Sequence, residues 1–203
     1  MSAEDRLLLE FAFEPQHEPR LAEAIKSVLA QCDLPTKSAA VWVATSAPVL
    51  TCYLAAQPDV ALLNELGSAA SAHLGTLRAG PLEVSRLKLM TAHPGASHNA
   101  SADFHYVVRT DVAAGGDAEL QRWYDEEHLA MLASVPGTQY ASRFICLDAA
   151  PRYYACYNLR APAVLQSAEW LTARQTPWSE RVRPTFTNTR RVIFRKLDLS
   201  APR

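Results

Sequence analysis

The sequence predicts an α+β fold in which two tandem, duplicated βαββαβ halves form an α/β barrel within one chain. Strand, helix, strand, strand, helix and strand signals follow one another twice along the 203 residues, and the equivalent first strands begin near Leu7 and Phe104. Each half would form a ferredoxin-like antiparallel sheet with both helices on one face. The two bare apolar faces can then bury each other, and a hydrophobic content of 49% is enough for such a core.

The first half, residues 1–90, contains all six elements. Pro19 suits the first position of a helix, and Asp59 can cap a second one. Alternating or continuous apolar runs predict the strands, and apolar residues at helical spacing predict the buried helix faces. These strands are expected at 6–14, 41–43, 49–54 and 82–90, with helix faces formed by Leu21, Ile25, Val28 and Leu29 and by Val60, Leu63, Leu66 and Ala70.

A linker rich in Ala, Ser, Gly and His is predicted at 91–102, followed by the second half, residues 103–203. Gly115-Gly116-Asp117 leads into a helix, and Val135-Pro136-Gly137 ends it. The order of the first half then repeats. Strands are expected at 104–110, 140–147, 153–159 and 186–196, and helices at 118–132, at 162–174 and after Thr176-Pro177-Trp178.

Charge and composition exclude several classes of partner. A net charge of −1 gives no electrostatic reason to bind nucleic acid, and Arg190-Arg191 is predicted to be a solvated strand edge. Ser38 to Pro58 lacks charged residues, but Pro48 and the β-branched and aromatic residues around it predict a buried hairpin, so we expect no membrane span. The start of the sequence lacks a signal-peptide pattern. A cytoplasmic protein with four reduced cysteines is therefore expected.

Motifs for common cofactors are absent from the sequence. There is no Gly-rich dinucleotide or phosphate loop, no G-x-S-x-G and no H-E-x-x-H. His93 and His98 lie in the predicted linker without acidic or cysteine neighbours, which argues against a metal site. We therefore expect neither a cofactor nor a metal.

The helix predicted at 118–132 contains the strongest candidate for chemistry. On a wheel of about 100° per residue, Tyr124 lies at the centre of the buried stripe, Trp123 and Glu127 on one flank and His128 on the other. A histidine at the edge of an apolar face, beside a carboxylate, can exchange protons near neutral pH. A structural histidine bonded to a backbone carbonyl is the alternative. The equivalent first-half helix has no His, Trp or Tyr, which favours a single site.

The chain from about Asp103 to Lys196 resembles the EthD-like branch of the dimeric α/β-barrel superfamily, in the motifs Trp123 to Leu129, Val135-Pro136-Gly137, Arg143-Phe144, Pro151-Arg152-Tyr153 and Thr176-Pro177-Trp178. The resemblance implies a small cofactor-free acid/base enzyme: an isomerase, cyclase, dehydratase or decarboxylase acting on an aromatic- or polyketide-derived metabolite. In isomerases of this superfamily a helix histidine acts in proton transfer, and His128 matches its position. Ala130 occupies a position where family members often have proline. This difference leaves the predicted catalytic residues unchanged.

The predicted catalytic residues are His128 as the acid or base, with Tyr124 and Glu127 to orient or tune it. Arg143 follows on the next strand among apolar alternation partners, so its face is predicted to be buried. A buried arginine needs an anionic partner. That partner is either an anionic oxygen of the substrate or, equally, the carboxylate of Glu127 or Asp125.

Further predicted substrate-binding residues come from several elements. His105, on the first strand of the second half, could face the same cavity, although a structural role explains it as well. Aromatic walls are predicted from Tyr154, Tyr157, Trp170 and Trp178, although core packing alone explains most of these. Trp123 is a further predicted substrate-binding residue.

Two other functions stay open at this point. The same pocket could bind a small hydrophobic or aromatic metabolite without converting it, with His128 structural. A haem protein is the third hypothesis, because distant members of the superfamily hold haem with a helix-borne histidine. Fusion of two halves predicts a monomer with a pseudo-dimeric barrel, with a homodimer as the alternative.

Overall fold

The computed structural model describes residues 4–57 and 59–200 of the chain. Its strands are Arg6–Phe13 (β1), Ala39–Ala44 (β2), Val49–Ala55 (β3), Arg78–Pro94 (β4), Phe104–Val112 (β5), Thr138–Cys146 (β6), Tyr153–Leu159 (β7) and Phe186–Lys196 (β8). Its α-helices are Glu18–Gln31 (α1), Val60–Leu74 (α2), Asp117–Trp123 (α3), Leu129–Ala133 (α4), Ala168–Arg174 (α5) and Pro177–Val182 (α6). A π-helical turn, Tyr124–His128, joins α3 to α4.

The strands of the described residues are hydrogen-bonded in the order β1-β3-β2-β8-β5-β7-β6-β4, which closes into a barrel. Within that order the first half runs β4-β1-β3-β2 and the second half β8-β5-β7-β6. Both halves therefore place their last, first, third and second strands side by side. Neighbouring strands are antiparallel, as in the pairing of β1 with β3 and of β5 with β7. The predicted α+β fold of duplicated ferredoxin-like halves is confirmed.

The chain divides into two compact units, each with its own hydrophobic core. One unit contains the chain up to Lys88 and the segment from Phe194 onward, and the other is Leu89–Ile193. The first core is built by α1, α2, β1 and β3, and the second by α3 to α5 with β5 to β7. The predicted α1 face is confirmed. The predicted α2 face is confirmed at Leu66 and Ala70, with Leu63 partly buried against the core, and it is wrong at Val60, which lies exposed in the first turn. Ala69 and Leu74 are buried as well.

The uncharged stretch Ser38 to Pro58 forms the predicted hairpin, with β2 paired antiparallel to β3 and Trp42 opposite Thr51. Pro58 itself lies outside the described residues. Among residues 4–57 and 59–200, no helix combines the length and the apolar character needed to cross a membrane.

The segment predicted as a linker is bound to the second unit. β4 extends to Pro94, beyond the predicted end of that strand. The next three main-chain N–H groups, of Gly95, Ala96 and Ser97, then donate to carbonyls of Gln139, Ala133 and Thr138. Gly95 approaches its partner strand so closely that a Cβ there would lie 2.1 Å from the Thr138 carbonyl oxygen.

We expect Gly95→Ala to lower the free energy of unfolding by about 1–3 kcal/mol, because backbone must move to admit the methyl group. Gly67→Ala is the matched control. Gly67 lies inside α2, the nearest side-chain atom to its Cβ position is 3.9 Å away, and the change should stabilise by roughly 0.5–1 kcal/mol. Urea unfolding followed by circular dichroism measures both. Equal stability of the two variants would contradict this account of the linker.

Candidate active site

The helix that holds the predicted catalytic residues contains a π-turn. The main-chain N–H of Leu129 donates to the carbonyl of Tyr124, five residues earlier. In a straight α-helix, residues five apart point about 140° away from each other, whereas a π-turn brings them to the same side. His128 therefore stacks on Trp123, with ring centroids 4.0 Å apart and planes 18° apart. Its ring also meets that of Tyr124 edge-on at 5.4 Å.

The three aromatic side chains of this turn are buried, with 1% of Trp123, 3% of Tyr124 and 5% of His128 exposed. Nδ1 of His128 and Nε1 of Trp123 have no hydrogen-bond partner among the described residues. An unpaired buried nitrogen costs about 1–3 kcal/mol. Such groups are uncommon in folded proteins and favour a functional explanation. The backbone-carbonyl partner of a structural histidine is not found for Nδ1 in the described chain.

His128 lies in the wall of a cavity of about 50 Å³ within the second unit. The wall contains no Asp or Glu among the described residues. Its aromatic members are Tyr106, Trp123, Tyr124, Tyr157, Trp170 and Phe186. Trp123, Tyr124 and Tyr157 thus line one cavity with His128, where the sequence placed them, and their roles stay predictions.

The electrostatics of the cavity keep His128 neutral. Burial, together with the positive charges of Arg183, Arg174 and Arg143, lowers the pKa of His128 to about 3. Burial raises the pKa of Tyr124 to about 12 against the opposing charge of Arg143. At neutral pH the imidazole can accept a proton, and the Tyr124 phenol can donate a hydrogen bond but cannot act as a base.

Two buried histidines should make the protein sensitive to acid. Burial lowers the pKa of His105 to about 4, and that of His128 is about 3. The unfolded chain, with histidine pKa values of about 6.5, binds more protons than the folded chain below that pH. The stability present above pH ~6.5 is therefore lost as the pH falls towards these folded values, at up to about 1.4 kcal/mol per pH unit for each histidine.

Urea unfolding between about pH 7 and pH 5 tests this sensitivity, since that window lies between the unfolded and folded histidine pKa values. We expect His128→Gln to reduce the slope of the unfolding free energy against pH by the contribution of one histidine, up to about 1.4 kcal/mol per pH unit. An unchanged slope in His128→Gln would show that the imidazole titrates in the folded protein as it does in the unfolded chain.

Glu127 does not face the cavity, which corrects the predicted wheel. Its carboxylate accepts a hydrogen bond of 2.5 Å from Oγ1 of Thr176, the residue that caps α6. The π-turn is the physical reason, because it rotates the turn so that His128 moves inward and Glu127 sideways. Glu127 therefore ties the π-turn to the start of α6 and does not touch His128.

Arg143 is fully buried but lies under Tyr124 rather than in the cavity wall. Its guanidinium carbon is 3.9 Å from the Tyr124 ring centroid, and Nη1 donates to Gln121 Oε1 at 2.7 Å. Asp125 lies 3.9 Å away, so the ion pair considered from the sequence is present. Arg143 does not line this cavity and contacts the face of Tyr124. Its predicted role in holding a substrate oxygen stays a prediction.

Two other predicted substrate-binding residues lie outside the cavity. His105 is on the opposite face of β5 from Tyr106, and its Nδ1 lies 2.7 Å from Asn158 Oδ1. The alternation of strand residues is the reason, since neighbours in a strand face opposite sides. Trp178 donates from Nε1 to Glu119 at 2.7 Å and stacks near Arg122, outside the cavity.

No pattern in the sequence predicts three arginines at this cavity. Arg174, Arg183 and Arg191 line it, which corrects the predicted solvated strand edge at Arg191. They come from α5, the turn after α6 and β8, so no local pattern unites them. Alternation along β8 separates Arg191 from Arg190, but only the fold shows which of the two faces the cavity.

No family model and no curated protein matches the chain. Among matching solved structures, a protein from Fusobacterium nucleatum proposed to be a monooxygenase shares 12% identity over 98% of this chain and 94% of that chain, with a TM-score of 0.66. An anthrone oxidase-like protein shares 12% identity, with 97% and 92% covered and a TM-score of 0.66. The heme-degrading enzyme of Listeria monocytogenes shares 8%, with 95% and 99% covered and a TM-score of 0.55. The fold is shared. At identities of 8% and 12%, the similarity shows the fold alone and no shared activity.

Haem does not fit this cavity as its residues are arranged. His128 could offer an axial nitrogen. The volume of about 50 Å³, however, is far below the roughly 300–1,000 Å³ of pockets that enclose ligands of drug size. Within the described residues, no three His, Cys, Asp or Glu side chains are grouped so as to hold a metal ion.

Proposed function

We propose that this protein is a cofactor-free enzyme in which His128 moves a proton on a small organic substrate. One observation supports this most strongly: a neutral, buried imidazole with an unpaired Nδ1 in the wall of an aromatic cavity without carboxylates. A neutral base isolated from carboxylates can accept a proton only from the ligand. Isomerisation, cyclisation, dehydration and decarboxylation all include such a transfer.

In the proposed first step, His128 accepts a proton from carbon next to a substrate carbonyl. The C–H electrons form a carbon–carbon double bond, and the carbonyl pair moves to oxygen as an enolate. Tyr124, protonated at neutral pH, donates a hydrogen bond to that oxygen in this proposal. Trp123 fixes the plane of the imidazole, and Arg143 supports the Tyr124 ring from behind. Where a carbon–carbon double bond of the substrate is conjugated with the enolate, return of the proton to the far carbon of that system, with re-formation of the carbonyl, completes an isomerisation.

The size of the cavity restricts the range of substrates that the sequence predicts. A volume of about 50 Å³ holds a few non-hydrogen atoms, so it favours small compounds, or the reacting end of a larger one, over a whole polyketide. The motif on the π-turn supports the EthD-like branch as the family. A cytoplasmic location, and the choice between a pseudo-dimeric monomer and a homodimer, stay predictions.

Deuterium exchange tests the proposal before a substrate is known. The protein is incubated in D₂O with a panel of small 2-oxo acids, 3-oxo acids and unsaturated lactones, and proton NMR follows the loss of carbon-bound hydrogen. We expect at least one compound to exchange faster with protein than in buffer alone. If no compound exchanges faster than in buffer, the proposal is contradicted. Compounds that bind without exchange would indicate a ligand-binding protein.

A further inference from the structure

The cavity beside His128 is lined by three arginines: Arg174 at the end of α5, Arg183 after α6 and Arg191 on β8. Arg174 and Arg183 are half-buried and Arg191 is exposed, so they mark the open side of the cavity. No Asp or Glu lines this cavity, and in the described chain no salt bridge joins any of the three to a carboxylate. Three positive charges therefore converge without a negative partner.

Holding these charges together is unfavourable. Burial and the charges of Arg174 and Arg191 lower the pKa of Arg183. The Arg183 guanidinium nevertheless stays at the cavity, because it donates a hydrogen bond to the main-chain carbonyl of Arg174. An anion between like charges removes their repulsion and accepts charge-assisted hydrogen bonds from each guanidinium. The arrangement is typical of a site for a bound anion.

The floor of the cavity restricts what that anion can be. Trp123, Tyr157 and Trp170 present ring faces and edges there, which suit carbon rather than a strongly hydrated ion. At roughly 10–15 Å³ for each water-sized sphere, a cavity of about 50 Å³ admits a group of about three to five atoms. A carboxylate with a short carbon chain meets both conditions.

We propose that Arg174, Arg183 and Arg191 bind the carboxylate of a small organic acid, and that this acid is the substrate on which His128 acts. The carboxylate site is inferred from the cavity alone, whereas the role of the acid as the substrate of His128 rests on the proposed function. In this arrangement the carboxylate lies at the open side. The α- and β-carbons of the acid reach the aromatic floor, beside the imidazole.

Such a carboxylate would also allow His128 to hold a proton. The charged groups that lower the pKa of His128 are all positive: Arg143 on β6, Arg174 and Arg183. Arg191 lines the same cavity. The other titratable groups of the cavity wall are the phenols of Tyr106 on β5, Tyr124 on the π-turn and Tyr157 on β7, which stay neutral because burial raises their pKa values. A bound carboxylate adds the missing negative charge and stabilises the imidazolium. Binding should therefore take up a proton.

Tryptophan fluorescence can follow binding, since Trp123 and Trp170 line the cavity. The probes are propionate, its neutral isostere propionamide, and nitrate. We expect propionate to bind at least about tenfold more tightly than propionamide, because each charge-assisted hydrogen bond contributes a factor of about ten to a hundred. Arg191→Gln should weaken propionate binding by about that factor. Arg190→Gln, the exposed neighbour on the same strand, should change it less than about twofold.

Several outcomes would overturn the carboxylate site. They are no saturable binding of propionate, equal affinity for propionamide, equal effects of Arg190→Gln and Arg191→Gln, or nitrate competing as well as propionate. Equal competition by nitrate would identify a cluster of positive charge that binds anions without preference for a carboxylate. Both exposed positions tolerate the change without loss of folding, which circular dichroism verifies.

The pH dependence tests the link to His128. Propionate affinity should rise as the pH falls from about 8 to about 6, where the probe stays ionised, in the wild type, and should be nearly constant in His128→Gln. A flat wild-type profile overturns the substrate role. If propionate binds as expected but no panel compound exchanges deuterium, the proposed enzyme function fails and the carboxylate site stands.

Discussion

His128→Gln is expected to reduce catalysed deuterium exchange by about 10²–10⁴-fold, the usual contribution of a positioned general base. Glutamine has a similar reach and stays polar, so the cavity keeps its shape, but its amide cannot accept a proton at neutral pH. The measurement is the exchange rate of the most reactive panel compound, with and without protein, by proton NMR.

The control for this change is His98→Gln, which removes an exposed histidine outside the cavity. It should keep the wild-type exchange rate. Circular dichroism and urea unfolding verify that His128→Gln is folded. If a folded His128→Gln protein exchanged as fast as the wild type, the base would have to be another group, and the cavity offers no carboxylate for that role among the described residues.

Trp123→Ala is expected to lower the free energy of unfolding by about 3–5 kcal/mol, the range for removal of a large buried aromatic side chain. Trp123 is 1% exposed and contacts the rings of Tyr124, His128 and Phe186. Loss of its indole removes the surface that holds the imidazole in plane. Exchange should therefore fall as well, even at temperatures where the variant stays folded.

Trp178→Ala is the matched control, because the sequence favoured Trp178 as a site residue and the structure places it outside the cavity. Its side chain is half-buried and bonded to Glu119, so its loss should cost much less than that of Trp123 and leave exchange unchanged. Trp123→Phe keeps an aromatic ring against His128 and should retain most of the exchange. A larger effect of Trp178→Ala on exchange would contradict the site described above.

The fold was predictable because its elements follow from local signals. Apolar periodicity and turn residues located both βαββαβ halves, and Pro48 with the β-branched and aromatic residues around it correctly indicated a buried hairpin in the uncharged stretch. The order of elements also implied duplication without visible sequence identity. The hydrogen bonds of the predicted linker to the second unit could not be predicted, because the close approach of Gly95 to Thr138 joins residues far apart along the chain.

The candidate site was predictable only where a single helix determined it. Trp123, Tyr124 and His128 come from one motif, and they do lie together. Glu127 was placed wrongly because a wheel at a constant angle cannot represent a π-turn.

Alternation along β5 separates His105 from Tyr106 and Val108, but only the structure shows which face meets the cavity. Tyr106 and Val108 line it, so His105 points away. The arginines were a different case, because three separate elements bring Arg174, Arg183 and Arg191 together. Only tertiary structure shows that their charges converge.

The most direct test of the account is an NMR titration of the His128 ring, assigned by comparison with His128→Gln. Without ligand, we expect its signals to stay those of a neutral imidazole from about pH 8 down to about pH 4.5, because burial and three arginines disfavour the charged form. With saturating propionate, the midpoint of protonation should move upward. A ligand-free midpoint near the ordinary histidine value of about 6.5 would contradict the buried, neutral base on which this account depends.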